Sequence, residues 1–136
     1  MRRKFLVVVA GSLSALALVA CGKSGSEGDG SGELFLPPAG FVADAARGKV
    51  LFDKFCSRCH GAGGKGTDQG PPLVHIVYEP NHHGDMAFYM AVKKGVRHHH
   101  WNFGDMPPVA GVTASETGHI IAYVRRQQRM AGIGGR

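Results

Sequence analysis

Cys56-Ser57-Arg58-Cys59-His60 is the stretch that decides how this chain is read. Two thiols three positions apart share one face of a helical turn, and an imidazole follows at once. That spacing suits the two vinyl groups on one edge of a haem, with His60 aimed at the iron. A bare Cys-x-x-Cys also suits a redox dithiol or half a zinc site. Zinc of the common four-ligand kind needs two further ligands, and the sequence holds no second cysteine pair. A thioredoxin-like dithiol needs a βαβ setting, and no run alternates as a strand would. The motif therefore reads as covalent attachment of one haem through Cys56 and Cys59.

Working outward, the other nitrogen of His60 needs an acceptor to orient the ring and tune the iron. Gly70-Pro71-Pro72-Leu73 follows soon after, and a proline carbonyl is rigidly aimed. The carbonyl of Pro71 or Pro72 is the expected acceptor. For the sixth iron ligand, Met106 stands out. It lies 46 residues after His60 in Phe103-Gly104-Asp105-Met106-Pro107-Pro108, where two prolines stiffen the chain and Gly104 lets backbone approach closely. A soft thioether suits haem iron, and Met/His ligation raises the reduction potential. Met86 and Met90, four apart on a helix, read as core packing, and Met130 lies near the end of the chain. His98, His99 and His100 compete with Met106 for the iron. Five of the eight histidines fall at His82, His83, His98, His99 and His100. They read as polar loop residues that hydrogen-bond haem propionates, with Arg97 and Trp101 as further propionate partners. The sharper reading is a second metal site, with copper favoured because clustered imidazoles suit it.

The N-terminus is a targeting segment. Arg2, Arg3 and Lys4 precede an apolar run of 16 residues from Phe5 to Ala20, and a bilayer span needs about 20. Leu18-Val19-Ala20-Cys21 resembles the lipobox of bacterial lipoproteins, in which the cysteine becomes the lipid-bearing first residue. The alternatives are an ordinary secretory signal or an uncleaved short anchor, and all three place the protein outside the cytosol. Gly22 follows Cys21, where an inner-membrane lipoprotein usually carries aspartate, so the resemblance favours the periplasmic face of the outer membrane. All three cysteines are then used, Cys21 for lipid and Cys56 and Cys59 for haem. The full chain carries 16 Lys+Arg against 10 Asp+Glu, a net +6. Loss of Arg2, Arg3 and Lys4 takes it to +3, and haem propionates lower it further, so the charge does not point to nucleic acid.

Residues 1–20 thus form the signal and residues 21–40 the lipidated cysteine and tether. The folded unit is residues 41–134. Gly22 to Gly32 contains no apolar residue and cannot bury enough surface to order itself. Some 15 such residues reach roughly 20 Å, enough to hold a domain clear of a lipid surface. Leu34 to Gly40 is an arm expected to lie along the domain. Three helices are predicted: Asp44 to Cys56 with Asp44 as N-cap, Asp85 to Lys94 ended by Gly95, and a last one opened by Thr113-Ala114-Ser115-Glu116 at capping-box spacing. Val50, Leu51 and Phe55 supply apolar contacts on the first. Ile120, Ile121, Tyr123 and Val124 do so on the last, whose final turns carry Arg125, Arg126 and Arg129. The irregular stretches 61–75 and 96–112 must be organised by something other than helix, and a haem packed between them would do that. The fold class is all-α, three to four helices around one haem.

With these residues placed, the chain resembles class I cytochrome c of the bacterial, membrane-tethered sort. The resemblance rests on Gly48 and Phe52, Cys56-Ser57-Arg58-Cys59-His60-Gly61, Pro72-Leu73, Gly104-Asp105-Met106-Pro107, and Ala122-Tyr123-Val124-Arg125. It implies first and last helices that cross near Gly48, Phe52 and Tyr123. It also implies thioether links at Cys56 and Cys59, axial ligation by His60 and Met106, and one-electron transfer as the activity. Iron capped on both faces has no open position for substrate, so the expected role is a monomeric electron carrier, not an enzyme. It would dock redox proteins transiently, with Lys54, Arg58, Lys65, Lys93 and Lys94 as candidate docking charges. Two other classes stay open: a binding or sensing module using a labile sixth ligand or the histidines, and a peroxidase-like enzyme with an open haem.

Overall fold

The computed structural model describes residues 34–134. The lipobox reading, Cys21 and most of the tether lie outside them.

Four α-helices carry the fold: α1 (Ala45–Phe55), α2 (Ser57–His60), α3 (Asp85–Lys94) and α4 (Ala114–Met130), with single 3₁₀ turns at Ala62–Gly64 and Ile76–Tyr78. The only β pairing among the described residues is an isolated antiparallel bridge between Val96 and Met106. The all-α class is as the sequence indicates.

Local chemistry fixes the helix ends. The Asp44 carboxylate accepts from the backbone N–H groups of Ala46 and Arg47 and starts α1. Thr113 and Glu116 form a reciprocal capping box at the start of α4. Lys93 and Lys94 close α3 against the negative end of its dipole, and Gly95 follows at φ 75°.

The main packing event is α1 against α4. A Cβ at Gly48 would lie 1.9 Å from the His119 carbonyl oxygen and 3.0 Å from Tyr123 Cβ, so only glycine lets these backbones cross. One turn on, Phe52 is fully buried and its ring sits 5.3 Å from that of Tyr123. The backbone N–H of Asp44 donates to His119 Nδ1 at 2.8 Å, tying the α1 cap to α4. Val92 from α3, Val112, and Ile120 and Val124 from α4 complete the buried cluster. Val50 does not join it. It is 68% exposed, because the packed stripe of α1 runs through Gly48 and Phe52 and leaves Val50 on the far side. The arm does contact the domain, where Phe35 meets Tyr89 edge-on at 6.5 Å, and Phe41, at the start of the folded unit, packs on His119 at 4.9 Å.

Arg125, a basic residue of the final turns by sequence, is buried. Its guanidinium donates to Asp85 Oδ1 at 2.8 Å, to the Tyr78 carbonyl at 2.6 Å, to Gln128 Oε1 at 2.8 Å and to the His83 carbonyl. Gln128, also buried, donates to the carbonyls of Leu73 and Tyr78 at 2.8 and 2.9 Å. These two side chains satisfy the carbonyls of a segment with almost no regular structure and pin it to α4. None of the helices among the described residues is long and apolar enough to cross a membrane.

Candidate functional site

α2 is one turn long and holds Ser57-Arg58-Cys59-His60, with Cys56 as its N-terminal flank. No disulfide joins the two cysteines; Cys56 is half-buried and Cys59 exposed. Burial, with the neighbouring Cys59 thiol adding to it, pushes Cys56 up to about 11. A redox dithiol needs a depressed thiol, so this environment argues against that reading of the pair.

His60 is buried. Its Nδ1 lies 2.9 Å from the Pro71 carbonyl oxygen. A carbonyl only accepts, so Nδ1 carries the proton and Nε2 keeps its lone pair. Burial lowers the His60 pKa, against the opposing pull of that hydrogen bond, and so favours the neutral ring that a metal requires. Of the two expected acceptors, Pro71 is the one used; Pro72 instead packs against Gly66.

These residues open onto a cavity of about 800 Å³, at the upper end of the roughly 300–1,000 Å³ of small-molecule sites. Its lining brings together Cys56, Cys59, His60, Pro71, Arg97, Trp101 and Met106 with an apolar wall that includes Phe55, Leu73, Phe88 and Val92. The Met106 loop is held by its backbone. Met106 and Val96 exchange N–H···O bonds, both 2.9 Å, and a Cβ at Gly95 would lie 2.4 Å from the Met106 carbonyl oxygen. The close approach expected at Gly104 is therefore made at Gly95. Gly104 has open space around it, and its role is the positive φ of 85°. Asp105 anchors the loop from the other side, accepting from the backbone and ring nitrogens of His98 at 3.0 and 2.7 Å.

Met86 and Met90 are placed differently from the core packing expected of them. Met86 is exposed and outside the core, and Met130 is 71% exposed. Met90 lines the cavity from α3. His83, His98, His99 and His100 also line it. Desolvation first, then repulsion from the rings of His99, His83 and His82, lowers the His100 pKa.

The residues fit a haem by three independent features. The thiols and imidazole stand on one turn at the cavity wall, and the lining is otherwise largely apolar. The third is Trp101. Its indole Nε1 is the one buried side-chain polar atom without a hydrogen-bond partner among the described residues. Tyr78 is near enough for the indole to oppose its burial-raised pKa, but not in bonding geometry. A buried donor left without an acceptor costs about 1–3 kcal/mol, and a propionate oxygen would supply one.

Comparison with known proteins agrees. The family model described as Cytochrome c matches residues 45–128. Among solved structures, the chain is similar to cytochrome cL from the marine methylotrophic bacterium Methylophaga aminisulfidivorans, at 27% identity and a TM-score of 0.42. That alignment covers 60% of this chain and 51% of the other, so the chain spans about half the length of that relative. A search of curated proteins finds no match. The family match spans more than half of the chain and shows that it belongs to the cytochrome c family, which implies a covalently bound haem c.

Proposed function

We propose that this chain is a mono-haem electron carrier whose iron is closed on both faces, by His60 and by Met106, and which works outside the cytosol on a lipid tether. The observation that carries the first part is the opening of α2 and the Met106 loop onto one apolar cavity.

Haem bound there supplies a one-electron couple. Cys56 and Cys59 hold it by thioether bonds, and because the links are covalent it cannot be lost to the surroundings. His60 would hold the iron through Nε2, while its Nδ1–H donates to the Pro71 carbonyl. That bond fixes the tautomer and makes the imidazole a better donor. Met106 would offer its thioether to the iron from a loop held by Val96, Gly95 and Asp105. Phe55, Leu73 and Phe88 exclude water. Trp101 and Arg97 take the propionates, which gives the orphaned indole N–H its acceptor.

Tethering rests on the sequence of residues 1–32, and partner docking on the exposed charges Lys54, Arg58 and Lys65 beside α1 and α2 and Lys93 and Lys94 on α3. Weak, salt-sensitive docking by such charges speeds encounter more than it raises affinity.

A potentiometric titration of the purified protein tests the assignment. It should follow a one-electron Nernst curve, and Met106→Ala should lower the midpoint, since thioether ligation raises it. A midpoint unmoved by that substitution, or turnover of peroxide by the wild type, would replace the carrier by an open-site haem protein.

A further inference from the structure

Haem ligation leaves one cluster unused. His82 and His83 precede α3, and His100 follows it, yet one ring nitrogen from each lies within 4.8 Å of the other two. His82 Nε2 and His100 Nε2 are 3.4 Å apart. In a tetrahedral site with metal–nitrogen bonds of about 2.0–2.1 Å, ligand nitrogens sit about 3.3–3.4 Å from one another. The observed spacing is that of two corners of such a set.

Second-sphere geometry points the same way. His83 Nδ1 donates to the Val77 carbonyl at 2.6 Å, which fixes the ring and leaves Nε2 with the lone pair. Ligating histidines nearly always show this arrangement, with the distal N–H given to a carbonyl. The His83 backbone is held in turn by Arg125, which donates to its carbonyl. The trio is therefore carried partly by the buried Arg125 network and partly by the His98–Trp101 run. No carboxylate belongs to it. An all-imidazole set prefers borderline metals over calcium or magnesium, and copper(II) binds such sites more tightly than zinc(II).

We infer that His82, His83 and His100 form a binding site for a divalent transition-metal ion, copper(II) ahead of zinc(II), at the rim of the haem cavity. His83 and His100 line that cavity as well, so the ion bridges the segment before α3 to the segment that carries Trp101. The site is built from protein groups alone and does not depend on which residues ligate the haem iron.

The test is titration of the full-length, haem-loaded protein with copper(II), read by calorimetry and by the copper electron paramagnetic resonance signal. The wild type should bind one equivalent with nitrogen hyperfine splitting. His82→Gln and His100→Gln should each weaken binding by at least roughly tenfold, since even outer-sphere partners of a metal histidine are worth about 10–100-fold. His82 is exposed, so its substitution should leave the fold intact, and the haem spectrum of each variant checks that. Equal copper affinity in the wild type and in a variant carrying both His82→Gln and His100→Gln, or a copper signal without nitrogen splitting, would overturn the inference.

Discussion

His60 donates through Nδ1 to the backbone carbonyl of Pro71 at 2.9 Å, so the group that orients the proposed iron ligand is main chain, eleven residues away. The side chain of Pro71 does not make that bond, although the residue lines the cavity. Pro71→Ala should therefore leave the haem absorption spectrum unchanged and cost only about 0.4–1 kcal/mol of stability through the freer unfolded chain. Denaturant unfolding alongside the spectrum checks both, and a changed spectrum would mean that the ring itself touches the haem environment.

Gly48 should be intolerant of any side chain. The His119 carbonyl stands 1.9 Å from where a Cβ would be, and it is backbone, which cannot swing aside. Gly48→Ala should force α1 and α4 apart and cost about 1–3 kcal/mol or more, as overpacking does. Chemical denaturation measures it, and a loss under about 0.5 kcal/mol, the range of an ordinary surface change, would contradict the crossing geometry.

Arg125→Met keeps most of the volume and removes every donor. It leaves the His83 carbonyl without its partner and strips Asp85 of its ion pair. A loss of about 2–3 kcal/mol is expected from the buried groups left unpaired. Arg125→Lys should recover little, because an ammonium cannot reproduce the guanidinium fork that spans Asp85, Tyr78 and His83. Stability within about 0.5 kcal/mol of wild type in either variant, the level of an ordinary surface substitution, would mean the network carries no strain-bearing role.

The capping box sets an acid limb to stability. The Thr113 backbone N–H, then its hydroxyl, hold Glu116 below the usual glutamate value of 4.5. A carboxylate depressed on folding stabilises the native state fully above the unfolded value, and that contribution is lost as pH falls through the folded one. Thermal unfolding of Glu116→Gln should therefore show a shallower decline below pH 4.5 than the wild type and match its pH dependence from 6 to 8. Thr113→Ala should cost about 1 kcal/mol at neutral pH.

Much of this was legible in the sequence because it is local. Asp44, the run from Thr113 to Glu116, and Lys93-Lys94-Gly95 mark helix ends by short-range hydrogen bonds and dipoles, and α3 begins and ends where its sequence places it. Cys56 to His60 is likewise a one-turn signal. What stayed hidden depends on long-range contacts. Arg125 looks like any basic residue of a late helical turn, and only the carbonyls of Tyr78 and His83, more than forty residues away, make it a core residue. Met90 on α3 reads as core packing until Val96 and Met106 pair and close the cavity beside it. Val50 has the right chemistry for the core and the wrong angular position.

The central claim is that the haem iron is closed by His60 and Met106, and the visible spectrum of the oxidised protein tests it most directly. The account predicts a low-spin spectrum with a methionine–iron charge-transfer band that disappears in Met106→Ala and persists in Met90→Leu. A high-spin, five-coordinate spectrum in the wild type, or a band that follows Met90 instead, would contradict it.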